Sequence, residues 1–185
     1  MLRRFLGGAN GPDAAPQAPA PSGDADTQTV RRIIAELDAL PPDRARFLAA
    51  FAYILTRAAA ADLHISDVES AAIEGLVEEH GRLPEAQAVL VSRMAHNQSL
   101  LYSATEDYLV TRQFRELSTA EERLALLRCC YVVGAADGTI SAEESHTLQQ
   151  IAKELDVERD DVNELRTEFA PKIAAIQALY HLRGG

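Results

Sequence analysis

The chain has no tryptophan, and aromatic residues make up only 5% of it. Its core volume must therefore come from aliphatic side chains. Alanine and leucine carry most of that content, which favours helix over strand. There are two cysteines, Cys129 and Cys130, and they are neighbours. Adjacent residues on a helix point about 100° apart, so the two thiols are badly placed to pair or to chelate together. They read as small core residues of a reducing compartment. Basic excess is also lacking, since the formal net charge is −10. Phosphate backbones need a basic footprint, which argues against nucleic acid. Cations or a basic partner surface suit such a chain better. No apolar run reaches the roughly 20 residues of a membrane span. The start, MLRRFLGG, is basic, but Asn, Gly, Pro and Asp follow it rather than a signal-peptide core. The expectation is a cytoplasmic protein.

What is present reads as one domain behind a tail. The 185 residues are enough to bury a real core. Residues 7–28 are dominated by Gly, Pro, Ala, Ser and Asp and present no face that could be buried, and residues 1–28 together read as a disordered, low-complexity tail. Leu2, Phe5 and Leu6 with Arg3 and Arg4 could form a sticky turn, a weak membrane or partner anchor. So few residues give little binding energy, and the start is read as disordered.

From residue 29 to 183 the periodicity is helical. VRRIIAELDAL places Val30, Ile33, Ile34 and Leu37 on one face. Pro41-Pro42 stops that helix, and Pro42 can open the next, which runs to about Ala61. A helix from Ser66 ends at Gly81, read as its stop. Another opens on Pro84 and is read as short. A stretch from about Ser103 to Leu117 follows. Ser118 with Glu121 has the spacing of a capping box before ERLALLRCCYVVGAA. Three further helical segments close the chain. Alternation is weak everywhere, so the fold class is all-α, a bundle of roughly seven to nine helices.

One short pattern occurs twice. ADLHISDVES begins at Ala61 and ADGTISAEES at Ala136. Each contains Asp-x-x-Ile-Ser-x-x-Glu, with the aspartates at 62 and 137. The flanking sequence aligns at the same offset, giving two repeats, about 44–97 and about 119–170. Each unit is helix, acidic turn, helix, short helix.

Ser66 with Glu69 and Ser141 with Glu144 have the spacing of capping boxes, and this alone explains both glutamates. The aspartates are different. Phe51, Leu55, Ala58 and Asp62 share a stripe, as do Leu126, Cys130, Val133 and Asp137. Each aspartate ends a core-facing stripe at a helix C-terminus, where negative charge is disfavoured. Glu69 leads into Ile73, Leu76 and Val77, and Glu144 into Leu148, Ile151 and Ala152. The two corners are expected to converge, bringing together Asp62, Glu69, Asp137 and Glu144. Such oxygen ligands would select calcium, magnesium or manganese over zinc. The competing account of Asp137 is a plain Asp-Gly turn. The spacing is not that of an EF-hand loop. His64 is read as an exposed turn residue, and His80, His96, His146 and His181 share no metal spacing. No motif for zinc, nucleotide or nucleophilic catalysis occurs, so no enzyme and no small-molecule substrate is expected.

RCCYVVGAADGTISAEES resembles the second repeat of the TerB-like tellurite-resistance family, and AAAADLHISDVES resembles the first, with Leu63 where that family has Gly. The resemblance covers roughly Arg44 to Phe169. It is closest to small stand-alone members, which also carry STAEERLALL. It implies an all-helical fold of two pseudo-symmetric halves with an acidic cluster at Asp62, Glu69, Asp137 and Glu144. It further implies a setting in tellurite or other stress resistance, among metal- or membrane-linked complexes. A related domain is fused to a J-domain, but no His-Pro-Asp occurs here. The resulting expectation is a non-enzymatic module that binds a divalent cation at the corners and a partner protein, within a peripheral membrane complex or free of one. The alternative is a pure interaction scaffold whose corners are only helix caps.

Overall fold

A computed structural model describes residues 35, 37–62, 65–101 and 104–183. The expectations for the tail, for residues 30–34 and for Leu63 and His64 lie outside them.

The described residues form eight α-helices: α1 (Pro42–Ala59), α2 (Asp67–Gly81), α3 (Glu85–Leu101), α4 (Ala104–Leu117), α5 (Ala120–Gly134), α6 (Ala142–Glu154), α7 (Arg159–Glu168) and α8 (Ala174–Arg183). Short 3-10 turns follow α1 at Ala60–Asp62 and α7 at Ala170–Lys172. There is no strand among these residues, and the all-α expectation holds.

Helix α1 is the axis of the bundle. Ten of its residues, Leu48, Ala50 to Thr56, Ala58 and Ala59, are buried. A helix apolar on nearly every side needs neighbours all round. It has them in α2, α3, α4, α5 and α6. Thr56, the polar exception, donates its hydroxyl to the Ala52 carbonyl at 2.9 Å and so enters the core satisfied. Helices α1 and α2 form one hairpin, α5 and α6 a second, and α5 packs against both α1 and α2. The expected stripes are the buried ones: Phe51, Leu55 and Ala58 on α1, Leu126, Cys130 and Val133 on α5, Ile73 and Val77 on α2, and Leu148, Ile151 and Ala152 on α6.

Three local readings need correction. The N-cap of α5 is Thr119 with Glu122, one residue later than the Ser118–Glu121 reading. Thr119 accepts from Glu122 N–H, while the Ser118 hydroxyl donates to the Phe114 carbonyl at 2.7 Å, still serving the end of α4. Gly81 ends α2, but the left-handed position belongs to Arg82, with φ 48°. Gly81 itself is tightly packed, since a Cβ there would lie 3.0 Å from Leu48 Cδ2 and would push that side chain back. Helix α3, expected to be short, runs 17 residues. Nothing from Glu85 onward interrupts it, and Ala88, Ser92 and Ala95 are buried along it, with α1 and α2 as its packing neighbours.

Candidate functional site

Both corners carry complete capping boxes. At the first, Glu69 Oε2 accepts from Ser66 N–H and from the Ser66 hydroxyl, each at 2.7 Å, and Ser66 Oγ accepts from Glu69 N–H at 3.2 Å. At the second, Glu144 Oε2 accepts from Ser141 N–H at 2.7 Å, and Ser141 Oγ accepts from Glu144 N–H at 3.1 Å. Caps of this kind normally lie at the surface. These glutamates are only 5% exposed each. In both, the hydrogen bonds among the described residues go to Oε2.

The burial follows from helix register. Glu144 lies four residues before Leu148 and seven before Ile151, on the face that enters the core. Glu69 stands in the same relation to Ile73 and Leu76, and Ile73 is buried while Leu76 packs against the core. Gly134 completes the pocket of Glu144. A Cβ there would stand 3.6 Å from Oε1, an ordinary contact distance, so the carboxylate lies against the end of α5.

The two corners are neighbours. The 3-10 turn Ala60–Asp62 packs on α6, the helix that Glu144 begins. Burial pushes the Glu144 carboxyl up to about 7; its hydrogen bonds from Ser141 pull the other way, and the charges of Glu69 and Asp137 push it up further. Two carboxylates from different hairpins therefore share one poorly solvated region.

Asp137 is placed differently. It is exposed, and its Oδ1 accepts from Thr139 N–H at 3.1 Å, with Gly138 at φ 114°. This is the Asp-Gly turn, and the side chain is held by its own loop rather than buried beside Glu144. The corner is also pinned from outside. Ile140 N–H donates to the Lys172 carbonyl at 2.7 Å and Ala174 N–H to the Ile140 carbonyl at 3.0 Å. Asp62 closes the first 3-10 turn, and its side chain lies outside the described residues. Among the described residues no three His, Cys, Asp or Glu form a group able to hold a metal ion. His146 is exposed and engages Gln150 at 3.1 Å, away from the corner as its register implies.

Pattern reading missed two arrangements. Arg57 of α1 reaches Glu154 of α6, with Asp107 and Thr111 of α4 beside it. Cys129 Sγ lies 3.3 Å from His80 Nε2, linking α5 to α2. The only sequence signal for the first was an arginine within the run Phe47 to Ala59, which is otherwise apolar except for Thr56. The second had none.

The model of one protein family, described as tellurite resistance protein TerB, matches residues 48–167. The chain belongs to the TerB family. The match spans both corners and helices α1 to α7 except their outermost residues, and it places the chain in a family associated with tellurite resistance. No curated protein and no solved structure matches it. No helix among the described residues is long and apolar enough to cross a membrane.

Proposed function

We propose that this TerB-family chain is a non-enzymatic binding module of a stress-resistance system. It takes a divalent cation at the paired corners and presents its helical surface to a protein partner. The observation that supports the reading is the buried pair of glutamates, Glu69 and Glu144, brought from separate hairpins into one poorly solvated region. Clustered carboxylates either take up a proton or gather a cation. Oxygen donors of this type suit calcium, magnesium or manganese. Glu69 and Glu144 would supply Oε1, Asp137 could turn in only by giving up its Thr139 contact, and Asp62 would complete the set.

A second reading has its own observation. Both glutamates are engaged as helix caps through Oε2, and Asp137 is engaged in its turn. On that reading the corners are architecture alone, and the chain is a protein-interaction scaffold.

Thermal melts of chelator-treated protein separate the two. Calcium, magnesium, manganese and zinc are added in turn to wild type and to an Asp62→Asn/Asp137→Asn variant. At 100 times its dissociation constant a cation adds about 2.7 kcal/mol, a shift of several degrees. A shift in wild type that the variant loses supports the cation module. Identical melts with and without every cation would leave the scaffold.

A further inference from the structure

An apolar groove of about 430 Å³ lies among α1, α3 and α4 and shares no lining residue with the acidic corners. Its walls include Tyr53 of α1, Val91 and Met94 of α3, and Val110 of α4. At its lip stand Leu37 and Leu40, from the stretch that leads into α1. Met94 is 56% exposed, so this side of the groove opens to solvent. Most of the lining is aliphatic, with Asp38 and Arg46 as its charged members, and what covers the apolar part should be an aliphatic stripe.

Such a stripe adjoins it in the chain. Val30, Ile33 and Ile34 precede Leu37 by seven, four and three residues, the spacing of one helix face. On a helix, Arg31, Arg32 and Glu36 would fall on the other side. The chain is already helical at the lip, where Ala39 N–H donates to the Ala35 carbonyl at 3.1 Å. At 1.5 Å per residue, Val30 would sit about 10 Å upstream of Leu37 on the same side. No tether has to be crossed, because Leu37 belongs to both stripe and groove. The local concentration of the stripe at the groove is then higher than any free partner's.

We propose that this groove is a helix-receiving surface and that its occupant is the chain's own stretch Val30 to Leu37, seated by Val30, Ile33 and Ile34. What the groove recognises is aliphatic side chains at positions i, i+3, i+4 and i+7. The same stretch supplied as a free peptide therefore binds when the covalent one is disabled.

The test uses the full-length chain, labelled with nitrogen-15, and an Ile33→Asp/Ile34→Asp variant. Amide shifts should change at Val91, Met94, Ala95 and Val110 and stay fixed at Glu69 and Glu144. Hydrogen exchange at the shifted amides should quicken by about tenfold or more. A synthetic peptide of residues 29–41 should reverse these shifts saturably, and its Ile33→Asp/Ile34→Asp form should not. Met94→Glu, at an exposed position, provides the converse: the resonances of Ile33 and Ile34 should move. Unchanged groove amides in the aspartate variant, or unchanged Ile33 and Ile34 in Met94→Glu, would overturn the proposal. Shifts that fade on dilution would overturn it in favour of a second copy's stripe. Movement of Ile33 and Ile34 only on adding phosphatidylserine vesicles would assign the stripe to a lipid surface instead.

Discussion

Arg57 of α1 holds Glu154 of α6 in a two-pronged ion pair, Nη1 to Oε2 at 2.6 Å and Nη2 to Oε1 at 3.1 Å. The side chains are 10% and 18% exposed. Asp107 of α4 closes in at 3.5 Å and receives the Tyr53 hydroxyl at 2.8 Å. Three helices that are distant in sequence are joined at one guanidinium. Burial alone would lower the Arg57 pKa, but the hydrogen bond and charge of Glu154, then the charge of Asp107, raise it overall. Removing Arg57 leaves two carboxylates facing one another without a cation. Arg57→Ala should cost about 2–4 kcal/mol, somewhat below the usual loss for a fully buried pair. Replacing both partners, as in Arg57→Met/Glu154→Leu, should recover most of that loss. Urea unfolding of the three proteins measures both.

The caps predict a graded series. Ser66→Ala and Ser141→Ala each remove the acceptor for a helix N–H at a buried glutamate, and each should cost about 1–3 kcal/mol. Thr119→Ala, at an exposed box, should cost about 1 kcal/mol. Ser118→Ala should stay within about 0.5 kcal/mol, because Ser118 does not cap α5. Equal losses at Ser118 and Thr119 in thermal melts would contradict the assignment of the cap.

Glu144 makes stability depend on pH in the direction opposite to an ordinary surface carboxylate. Its folded pKa, about 7, lies above the ordinary 4.5. The folded chain therefore holds this proton more tightly than the unfolded chain does. The associated stability is fully present below about pH 4.5 and is lost as pH rises through about 7. In chelator-treated protein, Glu144→Gln should remove that contribution and flatten the stability profile between these values. Chemical unfolding at half-unit steps of pH reads the difference in slope. Matching slopes in wild type and variant would show that Glu144 is ionised like any exposed carboxylate.

The two cysteines should be chemically quiet. Burial pushes the Cys129 thiol up to about 11 and the Cys130 thiol higher still. Both are free and buried. The thiolate is the reactive form, so iodoacetamide at neutral pH should modify neither in the native protein and both in concentrated guanidinium. Mass spectrometry counts the adducts. Rapid native labelling of Cys129 would mean that the His80 contact opens readily.

Much of this was legible in the linear pattern because helices report their inward face every three to four residues. The stripes through Phe51 and Leu55, through Leu126 and Cys130, and through Leu148 and Ile151 follow directly from that spacing. So do both Ser-Glu boxes, which join residues three apart. The extra length of α3 was obscured by the expectation that it would match its counterpart in the second copy. Misplacing the α5 cap by one residue arose because Ser118 and Thr119 are both good caps and each has a glutamate three residues on. Only the end of α4 distinguishes them, by claiming the Ser118 hydroxyl.

What the sequence alone determined is local: the all-helical class, the helix faces, the two capped corners and the membership of Glu69 and Glu144 in core-facing stripes. Those properties depend on groups within about one turn of each other, where chain geometry leaves little choice. Tertiary structure decided everything that depends on distant segments meeting. It set the corners side by side and buried Glu144, and that burial, with a smaller push from the charges of Glu69 and Asp137, raises the pKa of Glu144. It set Arg57 against Glu154, 97 residues away, and His80 against Cys129. Such contacts arise from packing helix ridges against one another, and no residue spacing within a single helix records which partner a ridge will meet.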